Sequence, residues 1–73
     1  MMIFSERIRL LRASHCLTQV QMAQALEISE RQYQNLELAA SKPSYDNLLA
    51  IAEYFGVSID YLVGRTENPE VNR

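Results

Sequence analysis

The side chains best suited to chemistry lie between residues 29 and 37, in the run Ser29-Glu30-Arg31-Gln32-Tyr33-Gln34-Asn35-Leu36-Glu37. An arginine can donate twice to guanine O6 and N7. An asparagine or glutamine can pair with adenine N6 and N7, and a glutamate can accept from cytosine N4. At about 100° per residue, Tyr33 and Leu36 define one side of a helix. Arg31 and Asn35 fall on the opposite side, flanked by Gln34 and Leu38. Arg31, Gln34 and Asn35 are therefore candidate base contacts, with Glu30 nearer the edge. The plainer reading of the same residues is a solvated helix face. Other chemistry is poorly supplied. His15 and Cys16 are the sole residues of their types, and adjacent side chains diverge on a helix, so neither a zinc site nor a thiol–imidazole pair is expected. Ser5, Ser29, Ser44 and Ser58 read as helix caps. There is no glycine-rich phosphate loop. No catalytic residue, metal or cofactor is expected, and the chain is read as not an enzyme.

The elements that must position the 29–37 run announce themselves by their starts. Ser29 followed by Gln32 is a capping box, and so is Thr18 followed by Gln21. The second helix carries Met22, Ala23 and Leu26 on one face and is joined to the third by little more than Glu27 and Ile28. Two short helices so closely joined must cross at a large angle. That is helix-turn-helix geometry, in which the second member can enter a major groove. Before this pair, Ser5 is read as the cap of a helix over roughly 6–15. After it, Ser44 follows Pro43 and opens a fourth helix, where Leu48, Ile51, Ala52 and Phe55 recur at helical spacing. Gly56 suits a left-handed helix end. Ser58 caps a short fifth helix running to about Val63, closed by Gly64. The expected fold is all-α, a compact five-helix bundle over residues 1–64, with 65–73 a frayed polar tail. Its expected core is Ile8, Leu11, Leu17, Met22, Ala23, Leu26, Ile28, Tyr33, Leu36, Leu48, Ile51, Ala52, Phe55, Val57, Ile59 and Leu62.

The whole chain sets the bounds. Its 73 residues make one domain, and 48% are hydrophobic, enough for a small core. No stretch is long and apolar enough to span a membrane, and the start lacks the pattern of a secretory signal. A lone cysteine suits a reducing compartment, so a cytoplasmic location is expected. The net charge of −2 argues mildly against a nucleic-acid partner, but it is unevenly spread. Residues 1–43 carry a net +1 and residues 44–73 a net −3, so a polyanion would meet the first part.

The residues Arg7-Ile8-Arg9-x-Leu11-Arg12, Leu17-Thr18-Gln19, Met22-Ala23-x-x-Leu26-x-Ile28-Ser29, Leu36-Glu37, Lys42-Pro43-Ser44, Leu48-x-x-Ile51-Ala52 and Phe55 to Gly64 stand in a fixed order and spacing. Together they resemble the phage-repressor and Cro-type helix-turn-helix family over about residues 4–65. The resemblance implies the lambda-repressor-like five-helix fold, with helices two and three forming the DNA reader. It implies a sequence-specific, repressor-like transcriptional regulator that binds double-stranded DNA, as a homodimer on a palindromic operator. By the same resemblance, Gln19 at a helix N-terminus is expected to bond a phosphate. Thr18, Ser29, Gln32 and Lys42 join it as candidate backbone contacts, and Arg12 and Glu37 are expected to form a structural ion pair between helices one and three. Leu49, Tyr54, Tyr61 and Val63 exceed what the core stripe needs and are candidate dimer contacts. The alternatives are an antitoxin or antirepressor whose main partner is a protein, or the reading head of a longer repressor. Two departures stand out. Family members often have glycine where this chain has Cys16, Glu27 and Ala39, so strained or reshaped turns are expected there. They usually have polar residues where it has Leu10, Val20 and Leu38, which are expected to be exposed and to offer contact points.

Overall fold

The computed structural model describes residues 2–70. Five helices follow one another: α1 (Phe4–Ser14), α2 (Gln19–Leu26), α3 (Glu30–Glu37), α4 (Tyr45–Phe55) and α5 (Ile59–Leu62). No strand occurs among the described residues. Helices α2 to α5 each begin on an extended hydroxyl residue, Thr18, Ser29, Ser44 and Ser58, whose oxygen accepts from the backbone N–H three residues on. This satisfies a donor that has no partner within the helix. The start of α1 differs from expectation. Its cap is Ile3, which makes no side-chain cap bond, and Ser5 lies inside the helix, buried. Phe4, packed against the core, draws the chain into helix before Ser5 is reached.

All five helices end in one way. Their closing residues, Cys16, Glu27, Ala39, Gly56 and Gly64, take left-handed φ between 56° and 82°. In each case the next N–H reaches back five residues: Leu17 to Arg12, Ile28 to Ala23, Ala40 to Asn35, Val57 to Ala52 and Arg65 to Asp60. These are Schellman closures. The three turns that lack glycine keep the same shape and take on the strain of a Cβ, about 1 kcal/mol each.

Ile8, Leu11, Met22, Ala23, Leu26, Tyr33, Leu36, Ile51, Ala52, Val57 and Leu62 form the buried core. Leu17, Ile28, Phe55 and Ile59 pack partly buried against it, and Leu48 is half-buried. Phe4, Ala50 and Tyr61 join the same cluster. Helix α3 rests on α2 and α1. Tyr33 and Leu36 anchor it, so its opposite side faces outward.

Residues 65–70 are not the frayed tail expected. The Pro69 carbonyl accepts from the Ser58 N–H at 3.0 Å, and both Glu67 carboxylate oxygens accept from Arg7 Nη2 at 3.1 Å. The segment forms a strap from the end of α5 back to α1. The expected tail residues 71–73 lie outside the described residues.

Candidate nucleic-acid interface

Beyond the packing of Tyr33 and Leu36, the polar bonds that fix α3 converge on Glu37, in its last turn. Arg12 grips the carboxylate with two donors, Nε at 2.6 Å and Nη2 at 3.1 Å. Gln19 Nε2 donates to the same group at 3.1 Å. Arg12 Nη1 also donates to the Leu17 carbonyl, and Arg9 Nη2 to the Glu37 carbonyl. Helices α1, α2 and α3 are thus tied at one point, with the Glu37 side chain 4% exposed. Burial pushes the Glu37 pKa up, but the bond from Arg12, the neighbouring Tyr33 hydroxyl and the bond from Gln19 together outweigh it and hold the carboxyl below its ordinary range. The Arg12 pKa is raised, chiefly by its bond to Glu37. The Tyr33 hydroxyl is buried beside this cluster without a hydrogen-bond partner, and burial pushes its pKa far above normal.

With its inner side clamped, α3 presents the other. Arg31 and Glu30 are exposed, and Gln34 and Asn35 are half-buried. Leu38, 72% exposed, ends the stripe. Gln34 Nε2 donates to Glu30 Oε2 at 3.2 Å. The expected backbone-contact residues gather at the helix starts. The capping boxes engage Thr18 Oγ1 with the Gln21 N–H and Ser29 Oγ with the Gln32 N–H. Gln32 Oε1 accepts from the Ser29 N–H. This leaves both hydroxyl protons and Gln32 Nε2 unused. One Gln19 N–H is committed to Glu37, and its second remains available. Lys42 is exposed in the α3–α4 loop. Leu10 and Val20 are exposed as expected.

The candidate dimer residues do not behave alike. Tyr54 and Val63 are exposed and Leu49 is half-buried. Tyr61 is half-buried: it packs against the core, and the Arg7 guanidinium lies over its ring, 3.8 Å from the centroid. The sequence reading missed Arg7 and Arg9. A signal for Arg7 existed: with Phe4, Ile8 and Leu11 it completes the spacing i, i+3, i+4, i+7, so an arginine fills an inward slot of α1. Among the described residues, no group of His, Cys, Asp or Glu is placed to hold a metal, and no helix is long and apolar enough to cross a membrane.

A family profile described as Helix-turn-helix matches residues 8–62. The chain belongs to the helix-turn-helix family. It is 35% identical over 68 residues to the uncharacterised HTH-type transcriptional regulator YobD of Bacillus subtilis (strain 168), covering 93% of this chain and 61% of that protein. A second regulator of the same organism, YqaE, is 36% identical over 69 residues, covering 94% of this chain and 60% of that one. The chain thus spans about 60% of the length of these relatives. Among solved structures it is similar to the P22 c2 repressor in complex with synthetic operator 9T in the presence of Tl+, with TM-score 0.80 and 27% identity. That match covers 86% of this chain and 96% of the repressor chain. It is also similar to a transcriptional regulator from Listeria innocua, with TM-score 0.80 and 31% identity, covering 96% of this chain and 61% of that chain.

Proposed function

We propose that this helix-turn-helix domain binds double-stranded DNA sequence-specifically as a repressor-like transcriptional regulator, inserting α3 into a major groove. The observation that carries this reading is the clamp on Glu37. Two of the three arginines of α1, Arg9 and Arg12, hold α3 by Glu37, so the stripe Arg31, Gln34, Asn35 is turned outward. Glu30 borders that stripe and Leu38 ends it. Arg31 bonds a guanine, and Gln34 or Asn35 an adenine. The α2 N-terminus, with Gln19 and Thr18, faces a phosphate, helped by Ser29, Gln32 and Lys42. Two copies pair on a palindromic operator, with Leu49, Tyr54 and Val63 as contact residues and Tyr61 contributing its ring edge. The protein acts in the cytoplasm and needs no cofactor. Named relatives that are regulators favour DNA over the protein-partner reading.

Selection from a random duplex pool tests this. One enriched, two-fold-symmetric sequence is expected, with half-site centres about 10 base pairs apart. Arg31→Ala should weaken the preferred duplex by about 1–3 kcal/mol and flatten preference at one G·C pair. Gln19→Ala should weaken all duplexes alike, because a phosphate carries no sequence. Lys42→Ala should also reduce the salt slope by about one. Uniform weakening by Arg31→Ala would remove this residue from base reading.

A further inference from the structure

Glu30 is an odd residue on a surface meant for DNA. Its carboxylate repels phosphates and is repelled by guanine O6 and N7, which are both acceptors. Its one observed partner gives it another task. Gln34, one turn on along α3, donates an N–H to Glu30 Oε2 at 3.2 Å. A glutamine amide has two N–H donors and one carbonyl acceptor. Once one N–H is committed to Glu30, a single N–H and the carbonyl oxygen remain. That pair matches adenine, which offers N7 as acceptor and N6–H as donor. Guanine would need two donors. The carboxylate also forbids the flipped amide, because flipping would bring Gln34 Oε1 against Glu30 Oε2. We propose that Glu30 is a positioning residue that locks the Gln34 amide in the orientation that reads adenine, so the two side chains discriminate as one unit.

This rests on the reading of α3 as the groove-facing helix. On the free surface such an i, i+4 bond is weak. In a groove emptied of water it strengthens, which is where discrimination is decided. A structural alternative exists, since a carboxylate in the first turn of a helix favours the helix dipole. That role would move the melting temperature and leave base preference alone.

The test starts from the duplex selected by the unaltered protein. Gln34→Ala identifies the base pair that Gln34 reads, as the position where preference flattens. At that pair, adenine is expected to be favoured over guanine on the order of 10-fold. Glu30→Ala should reduce this ratio to about 2-fold while leaving the preference at the Arg31 pair intact. Glu30→Gln, whose amide oxygen can still accept from Gln34, should restore most of the ratio. Both Glu30 variants lose a negative charge and should bind every duplex somewhat more tightly, a change that cancels in the ratio. The Glu30→Ala, Gln34→Ala double variant should discriminate no worse than Gln34→Ala alone. If Glu30→Ala leaves the adenine preference unchanged, if the two losses add, or if Gln34→Ala flattens no position while a sequence is still selected, the coupling is refuted and the groove reading stands. If no sequence is selected at all, the groove reading itself falls, and the coupling with it.

Discussion

Helix α1 sends two arginines into ion pairs with glutamates, and the two pairs are built inside out relative to each other. In the Arg12–Glu37 pair the carboxylate is the buried member, with side chains 20% and 4% exposed respectively. In the Arg7–Glu67 pair the guanidinium is buried and the carboxylate is not, at 3% and 70%. The Glu37 carboxylate receives three donated bonds from two side chains. Arg7 is held by one exposed carboxylate and one aromatic face, and its Nε has no partner. A pair resists loss of a partner poorly when the group left behind cannot reach water. Stripped of Arg12, Glu37 is stranded between three helices. Stripped of Arg7, Glu67 simply rehydrates. The same two residue types therefore make a keystone in one place and a clasp in the other.

The largest effect expected is that of Arg12→Met. It should cost about 3 kcal/mol, near the lower end for breaking a buried pair because Arg12 is itself partly wet. For a domain of this size that lowers the melting temperature by about 15 °C. Replacing Glu37 as well with an apolar residue should recover part of the loss. The pH dependence is sharper still. In the unaltered chain the folded Glu37 pKa is depressed. Its contribution to stability is therefore present above the ordinary carboxyl value of about 4.3 and is lost as pH falls through the lower, folded value. Without Arg12, burial becomes the leading influence and raises the folded pKa. Stabilisation is then present at low pH and is lost as pH rises through that raised value. Above the ordinary carboxyl value the variant should therefore lose stability relative to the unaltered protein as pH rises, until the raised value is passed. A flat profile for Arg12→Met would show that Glu37 is not desolvated as described.

Arg7→Met should cost less, about 1 kcal/mol. It removes the charge over Tyr61, whose attraction to the ring is of that size. It also removes the unpartnered Nε, which offsets part of the loss. Urea midpoints for the two methionine variants, measured together, give the comparison directly. Equal losses would mean that burial of the carboxylate is not what separates the pairs.

The clamp and the clasp differ also in how well sequence discloses them. The capping boxes at Thr18 and Ser29 and the stripe of α3 are local patterns, set by neighbours three or four residues apart, and the observed helices begin where those patterns place them. Arg12 and Glu37 carry no mutual signal in spacing, and their pairing was expected only through family resemblance. Arg7 and Glu67 lie sixty residues apart, and nothing in the polar stretch 65–70 indicates that it folds back. Ser5 shows the converse failure. It has the chemistry of a cap, but burial of Phe4 starts the helix earlier. The helix ends were half legible. Glycine marks the turns at 56 and 64, while Cys16, Glu27 and Ala39 take the same left-handed shape because closure of the bundle demands it.

The Cys16 turn belongs to the clamp, because it presents the Leu17 carbonyl to Arg12 Nη1 at 3.0 Å. Cys16→Gly relieves the left-handed strain without touching the ion pair. The exposed thiol gives up little packing, so a gain of about 0.5–1 kcal/mol is expected. Gly56→Ala is the mirror test. A Cβ there would meet nothing within 4 Å, so it adds strain alone and should cost a similar amount. If neither variant moves the urea midpoint, the left-handed ends are not strained.

The smallest effect should come from Glu67→Ala. This change removes the clasp from its exposed side. Arg7 keeps its place over Tyr61 and gains water where the carboxylate stood, so no buried charge is stranded. Ion pairs that water reaches contribute about 0–1 kcal/mol; this one is wet on its carboxylate side alone, and its loss should stay below about 0.5 kcal/mol because water takes the carboxylate's place. The strap, however, loses its link to α1 and is left with the bond from the Ser58 N–H to the Pro69 carbonyl. Hydrogen exchange at the Ser58 amide should therefore quicken while core amides such as Ile51 keep their protection. High salt should narrow the difference between Glu67→Ala and the unaltered protein, because ions reach the solvent-facing Glu67 carboxylate and not the buried Glu37. The Arg12→Met deficit should survive the same salt. If Glu67→Ala instead lowers stability as much as Arg12→Met does, then the burial of Arg7 makes its pair a second keystone, and the contrast between the two pairs is wrong.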